Sequence, residues 1–361
     1  MRIGVNALYL IPGGVGGTEI YLRGLLEGLA EIDASNQYFV FTNRETGDLA
    51  PARSNFTVVP QPVRATSRPM RIAWEQTGLP LAAVRLRLDV MLNPGFTAPL
   101  FSPCPQVTVF HDLQHLRHPE YFRWFDLPFW KFLLYWSARV SRVVLAISEA
   151  TAADLKKYYR LPEEKVRIVP LGVDPVFFDL RRRRQPEPFL LAVSTLHPHK
   201  NLDGLLRAFA EFRRERPEFR LVVCGLHGLY TKPLQELRER LGLGAVVDFP
   251  GWIPREELHD LYRRAWAFVY PSLFEGFGIP VLEALAAGVP TACSNIEPMA
   301  GNAGDAAVLF DPRDTAAMTE ALRRISGDEV LRERLSLAGP EQAARFSWKV
   351  TARKTLEALA G

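Results

Sequence analysis

The chain has 361 residues, 48% hydrophobic and 23% charged, with a net charge of +4 and a pI near 9.0. That length is too great for one ordinary core, so two domains are expected, and no apolar run approaches the roughly 18 residues of a membrane span. Cys104, Cys224 and Cys293 are scattered with no C-x-x-C pair, which supports neither a disulfide framework nor a zinc cluster and fits a reducing cytoplasm.

The opening "MRIGVNALYL" is apolar and β-rich. It lacks a cationic n-region and an A-x-A-like cleavage site, and Asn6 interrupts it, so it reads as a buried first strand and not a signal peptide. The glycine turn "IPGGVGG" and the helical stretch "TEIYLRGLLEGLAEI" follow. No Lys-Ser/Thr comes after Gly13, Gly14, Gly16 and Gly17, so this is not a P-loop. Gly14-x-Gly16-x-x leads to Glu19, so the dinucleotide fingerprint is incomplete. A glycine turn before a helix still offers N–H donors to a phosphate or sugar, and Gly16 and Gly17 are the candidates. Glu19 supports the loop or touches an acceptor.

Further on, "QVTVFHD" is a strand ending in His111 and Asp112. His111 is either structural or turned to a ligand; Asp112 orients it or caps the next turn. His115, His118, His197, His227 and His259 are read as structural, and His115 and His118 lack metal-ligand spacing with a nearby Cys or carboxylate. The aromatic and basic "FRWFDLPFWKFLLYWSARVSR" has two readings, a core helix before the strand "VVLAIS" and a helix resting on a membrane surface. The core reading is preferred.

Residues 173–188, "VDPVFFDLRRRRQPEP", have a solvated connector composition. A nucleic-acid role for Arg181–Arg184 is not adopted. Beyond it the pattern repeats: strand "FLLAVSTL", polar turn "HPHKN" with Lys200, helix "LDGLLRAFAEFRRE", then further strands and helices to "AAVLFDP". Alternation in both halves predicts parallel sheets with helices on both faces, hence two doubly wound domains. Ligands of such sheets bind outside the carboxyl ends of the strands.

In "LFEGFGIPVLEALAAGVP", Glu275 and Glu283 stand eight positions apart. Pro280 suits the first helical position, which puts Glu275 in the preceding loop and Glu283 in the first turn. Eight helical residues span roughly 12 Å, against about 5–9.5 Å for a glycosidase pair sharing one bond. Two roles along an elongated ligand fit better. Gly276 and Gly278 let backbone approach a ligand at a helix N-terminus.

Together these motifs carry a resemblance. "PSLFEGFGIPVLEALAAGVPTACSN" closely resembles the E-x7-E signature of the family 4 GT-B glycosyltransferases, a retaining group. The glycine turn, "VFHDLQHLRHPEYF", "LAISEATAADL", "VPLGVD", "VSTLHPHKNLDGLLRAF" and "GDAAVLFDP" resemble other family segments in the same order, over nearly the whole chain. The resemblance implies that Glu283 holds the ribose hydroxyls of a nucleotide-sugar and Glu275 lies beside the donor sugar. It implies backbone contacts from Gly276, Phe277 and Gly278 to the sugar and distal phosphate, Lys200 at the diphosphate, and His111 by donor sugar and acceptor. Thr195 occupies a position where many relatives have arginine; in a second subgroup the arginine place falls on His199 and the glycine place on Ser194. Relatives usually place a glutamate where Gly301 stands.

The expectation is therefore an α/β protein of GT-B fold, two Rossmann-like domains facing across a cleft. The acceptor domain spans 1–172, with a C-terminal helix from about 346 crossing back; 173–188 is a linker and 189–345 the donor domain. Its acceptor surface is expected in loops at roughly 60–75 and 113–130. Expected activity is retaining transfer of a hexosyl group, mannosyl from GDP-mannose, to a glycan or lipid-linked acceptor. No cofactor or metal and no nucleic acid is expected; a cytoplasmic location is expected, with peripheral contact at the inner membrane face as the second reading of the aromatic helix. The alternatives are a GT-B sugar-nucleotide epimerase and a non-catalytic sugar-binding protein.

Overall fold

In the computed structural model, the described residues are 1–361 except 15, 48, 181–185 and 229, so the run Arg181–Arg184 lies outside them. The strands are β1 (Arg2–Asn6), β2 (Gln37–Thr42), β3 (Phe56–Pro60), β4 (Val90–Asn93), β5 (Gln106–Phe110), β6 (Val143–Ala146), β7 (Val166–Ile168), β8 (Glu187–Val193), β9 (Arg220–Cys224), β10 (Val247–Gly251), β11 (Ala265–Tyr270), β12 (Thr291–Ser294) and β13 (Ala307–Phe310). The α-helices are α1 (Gly17–Ile32), α2 (Arg68–Arg85), α3 (Gln114–Arg117), α4 (Leu127–Val140), α5 (Glu149–Tyr159), α6 (Leu202–Glu215), α7 (Thr231–Arg240), α8 (Arg255–Arg264), α9 (Ile279–Ala286), α10 (Met299–Ala303), α11 (Thr315–Gly327), α12 (Glu329–Ala343) and α13 (Trp348–Ala360). Several helix starts follow from side-chain caps: Ser148, Asp314, Asp328 and Ser347 each accept a backbone N–H two or three residues on. Two compact units result, Met1–Gly172 with Ser347–Gly361, and Val173–Phe346.

The first unit holds a parallel seven-stranded sheet, order β3-β2-β1-β4-β5-β6-β7. Its inner strands β1, β4, β5 and β6 are buried on both faces, as in a sheet covered by helices on both sides. The order reverses between β1 and β4. Helix α13 packs on α1 through two helical glycines: a Cβ on Gly24 would lie 2.1 Å from Trp348 Cε2, and one on Gly28 2.5 Å from the Trp348 carbonyl oxygen.

Two expectations for this unit need correction. Residues 68–75, expected in an acceptor loop, are the start of α2, with Arg71, Ile72 and Glu75 on its buried face. The aromatic stretch is not simply core. Helix α4 buries Leu133, Leu134, Ser137 and Ala138, while Phe129, Phe132 and Trp136 on its other face are 48%, 53% and 44% exposed. Trp124 and Phe125 extend the exposed face. An amphipathic helix needs only one apolar stripe to hold it on a sheet, and this one carries a second.

The second unit holds a parallel six-stranded sheet, order β10-β9-β8-β11-β12-β13, reversing between β8 and β11. Its core gathers Leu190, Leu206, Phe209, Leu221, Val269 and Leu322. The expected linker 173–188 is shorter than its composition suggested. Phe177 is buried edge-on against His259 and Tyr262, and β8 begins at Glu187. Phe177 and Leu180 before the arginine run, and Phe189 after it, are buried in the second unit.

Candidate active site

Strands β8 and β11 are neighbours, so the loops after them, 194–201 and 271–278, emerge side by side where the strand order reverses. The Leu273 N–H donates to the His199 carbonyl at 2.8 Å. Asn201, in the left-handed region at φ 52°, donates to the carbonyls of Pro271 (3.2 Å) and Pro312 (2.7 Å). These bonds fix Lys200 opposite Glu275. The Lys200 Nζ donates to Glu275 Oε1 at 2.5 Å and to the Tyr270 hydroxyl at 3.2 Å. Both side chains are nearly enclosed, 14% and 11% exposed. Burial alone would lower the Lys200 pKa; the Glu275 carboxylate and Tyr270 outweigh it and hold the ammonium above the ordinary lysine range. The site thus keeps one fixed positive charge.

The turn after Glu275 leads into α9. Gly278 has φ 88°, and a Cβ there would also meet Met299 Cγ at 2.9 Å. Phe277 is buried edge-on to Phe346, and its carbonyl accepts from Asn302 Nδ2 at 2.8 Å. Helix α9 starts at Ile279 and not at Pro280, so Glu283 is in its second turn, not its first. That residue is 8% exposed and accepts from the Tyr262 hydroxyl at 3.2 Å; burial pushes its pKa up to about 7. The two glutamates therefore have different partners, Lys200 for one and Tyr262 for the other.

In the first unit, Gly16 has φ 57° and precedes α1; a Cβ on Gly16 or Gly17 would meet nothing within 4 Å, so this backbone borders open space. Glu19 supports the turn, accepting from the Gly13 N–H at 2.8 Å and pairing with Arg23 at 2.9 Å. His111, just past β5, is 6% exposed and donates through Nε2 to the Pro94 carbonyl at 2.8 Å. Its ring meets Tyr21 of α1 edge-on at 4.9 Å. Burial pushes the His111 pKa down to about 4 against that hydrogen bond, so the imidazole is neutral at physiological pH. Asp112 caps the next turn, its Oδ1 accepting from the Gln114 N–H at 2.9 Å. Gly16, Gly17 and His111 thus gather in the first unit, and the other candidates in the second.

Two family models divide the chain: "Glycosyltransferase Family 4" matches residues 15–177 and "Glycosyl transferases group 1" residues 177–342. The chain is 29% identical to O-antigen chain mannosyltransferase B of Escherichia coli over 70% of its length and 69% of that protein's. It is 31% identical to the MMP alpha-(1->4)-mannosyltransferase of Mycolicibacterium hassiacum over 69% of its length and 63% of that protein's. Among solved structures, WaaG, a glycosyltransferase involved in lipopolysaccharide biosynthesis, superposes with a TM-score of 0.75 at 18% identity, covering 100% of both chains. The chain belongs to the family 4 glycosyltransferases, with the GT-B fold. These are enzymes that transfer sugars.

At the remaining candidates the glycosyltransferase departs from a simple cationic cluster. Thr195 is exposed at the end of β8. His199 Nδ1 lies 2.6 Å from His197 Nδ1, so one ring donates and the other accepts, and at least one of the two is neutral. Burial, then the Lys200 charge, lowers the His197 pKa. His197, read above as structural, therefore belongs to the site's edge. Sequence reasoning also missed Tyr270 and Tyr262. Tyr270 carried a signal: it ends β11 two residues after Phe268, on the same face, and the two rings stack at 6.1 Å. No group of three or more His, Cys, Asp or Glu side chains among the described residues is placed to hold a metal ion.

Proposed function

We propose that this glycosyltransferase moves a mannosyl group from GDP-mannose to a hydroxyl of a glycan or lipid-linked acceptor, with retention of configuration. The observation that carries the reading is the Lys200–Glu275 pair at the second unit's switch point, with the glycine turn beside it and buried Glu283 beyond. The names of the two mannosyltransferase relatives support the sugar. Glu283 accepts from the ribose hydroxyls, and Glu275 from a hydroxyl of the donor hexose. Lys200, already charged and held by Glu275 and Tyr270, adds a bond to the distal phosphate. The bond from C1 to the phosphate oxygen breaks as the bond from C1 to the acceptor oxygen forms on the same face. The acceptor proton passes to the departing phosphate oxygen. Charge on that oxygen grows along the way, so the Lys200 contact strengthens in the transition state and accelerates the step. Neutral His111 supplies a hydrogen bond and no charge.

The exposed rings of Trp124, Phe125, Phe129, Phe132 and Trp136, with Arg123, Lys131 and Arg139 also exposed, support peripheral contact with an anionic bilayer. No helix among the described residues is long and apolar enough to cross a membrane. The reading thus includes a cytoplasmic protein resting on the inner face of the membrane through α4.

The test is a thermal-shift panel of UDP-, GDP-, ADP- and dTDP-sugars followed by NMR assignment of the product's anomeric configuration. A preferred nucleotide should stabilise the protein by about 2.7 kcal/mol at a hundredfold excess over Kd. Preference for a non-guanine nucleotide removes GDP-mannose, an inverted product removes retention, and no shift from any of them removes the donor site.

A further inference from the structure

At the carboxyl end of the first sheet, where the strand order reverses between β1 and β4, a buried cation lacks a hydrogen-bonded counter-charge among the described residues. Arg71 lies on the inward face of α2 and is only 8% exposed. Its Nε is buried without a hydrogen-bond acceptor, and the guanidinium forms no ion pair among the described residues. Glu75, one turn on, is 1% exposed, but its oxygens are taken. Oε2 accepts from Thr97 Oγ1 at 2.9 Å and Asn6 Nδ2 at 3.2 Å, and Oε1 from Gln76 Nε2 at 3.4 Å. Burial raises the Glu75 pKa above the usual carboxylate range against the pull of the Arg71 charge, so Glu75 is a through-space counter-charge that makes no hydrogen bond to the guanidinium. Arg68, one turn back, adds positive charge and reaches Asp126 only at 3.9 Å.

The surroundings tie this arginine to the ligand end of the sheet. Tyr9 lies within reach of its charge. The Tyr9 ring packs so closely on Gly95, just past β4, that a Cβ there would be 2.3 Å from it. The Tyr9 hydroxyl donates to the Thr18 carbonyl at 3.3 Å, in the first turn of α1. Tyr9 therefore connects Arg71 to the helix start where Gly16 and Gly17 border open space. Buried charges in folded proteins are paired, and an unpaired one calls for a partner outside the chain. The guanidinium fork matches a phosphoryl group, and a switch point is where open α/β sheets bind ligands.

We propose that Arg71 is the counter-charge for a phosphoryl group on the acceptor, which makes the acceptor a phosphate or diphosphate ester and not a neutral glycan. The proposal rests on the reading of the first unit as the acceptor unit. The ester's source is either an isoprenoid diphosphate carrier or a free sugar phosphate.

The experiment uses the full chain saturated with the nucleoside diphosphate that the donor panel selects, so that the Lys200 site is filled. Farnesyl diphosphate, mannose 1-phosphate and methyl α-mannoside are then titrated by calorimetry against wild type, Arg71→Met and Arg71→Lys. Wild type should bind one or both phosphate esters and not the neutral glycoside. Arg71→Met should weaken that binding roughly tenfold to a hundredfold while nucleotide affinity stays within about twofold. Arg71→Lys, which keeps the charge and loses the fork, should fall between. Without ligand, Arg71→Met should melt at or above the wild-type temperature, because it removes an unpaired buried charge. Binding of farnesyl diphosphate alone identifies the carrier; equal binding of both esters identifies the phosphate itself. Unchanged ester binding in both variants, no ester binding by wild type, or parallel loss of nucleotide affinity overturns the proposal. If no nucleotide binds any of the three proteins, the donor reading fails by itself, and the same titrations on the ligand-free chain decide the role of Arg71.

Discussion

The two sheets reverse strand order in the same way and place a buried cation near each reversal, yet the two cations are treated differently. In the second unit Lys200 is held by Glu275 and Tyr270. In the first, Arg71 feels the Glu75 charge but forms no hydrogen-bonded pair with it among the described residues, and Glu75 is already engaged by Thr97 and Asn6. A charge paired within the chain is secured before any ligand arrives, and removing half of the pair strands the other half. A charge left unpaired costs stability and gains a partner only on binding. Mutations of the same kind should therefore have opposite effects on stability in the two units.

The largest effect is expected at Lys200. Lys200→Met should lower kcat by roughly a hundredfold to a thousandfold. It should also cost about 3 kcal/mol of stability by leaving Glu275 nearly enclosed and unpaired. Adding Glu275→Gln should restore most of the stability, seen as urea midpoint, and none of the turnover. Equal stability losses for Lys200→Met and Arg71→Met would erase the contrast between the units.

Next come the glycines. Gly278→Ala forces a left-handed backbone at φ 88° and a contact with Met299, and should cost about 1–3 kcal/mol together with donor affinity. Gly24→Ala should cost a similar amount through Trp348 and leave donor affinity unchanged, whereas Gly17→Ala should be tolerated in thermal melts.

Glu283 yields a pH test. Its pKa is raised to about 7, above the unfolded value, so its contribution to stability is full at acid pH and is lost as pH rises through about 7. Accepting two ribose hydroxyls needs the ionised form, so donor affinity should rise about tenfold between pH 6 and 8. Glu283→Gln should flatten that profile and bind weakly throughout; an unchanged slope would remove Glu283 from the ribose. The smallest change in stability is expected for Phe132→Ser with Trp136→Ser. Those exposed sites should shift the melt by no more than about 0.5 kcal/mol while sharply reducing co-sedimentation with phosphatidylglycerol vesicles.

Much of this architecture can be read from local pattern. Alternating strands and helices announce two doubly wound sheets, and the spacing of Glu275 from Glu283, across glycines and Pro280, announces that the two carboxylates do not share a partner. The pairing of Lys200 with Glu275 cannot be read so, because it depends on β8 and β11 being neighbours, and strand order is a property of the folded sheet. Composition misled at α4, where Phe129, Phe132 and Trp136 line the exposed stripe while Leu133, Leu134, Ser137 and Ala138 fill the buried one. It misled again at 173–188, where the charged run hides Phe177 as an anchor. Arg71 reads as one more solvated arginine until the helical period puts it beside Ile72 and Glu75 on the inward face.

The docking of Trp348 against Gly24 and Gly28 has a consequence for biosynthesis. Residues 347–361 leave the ribosome after the whole of the second unit, yet they belong to the first. The unit made second has all its residues while the one begun first still awaits its closing helix. A deletion of residues 347–361 should therefore damage the first unit before the second.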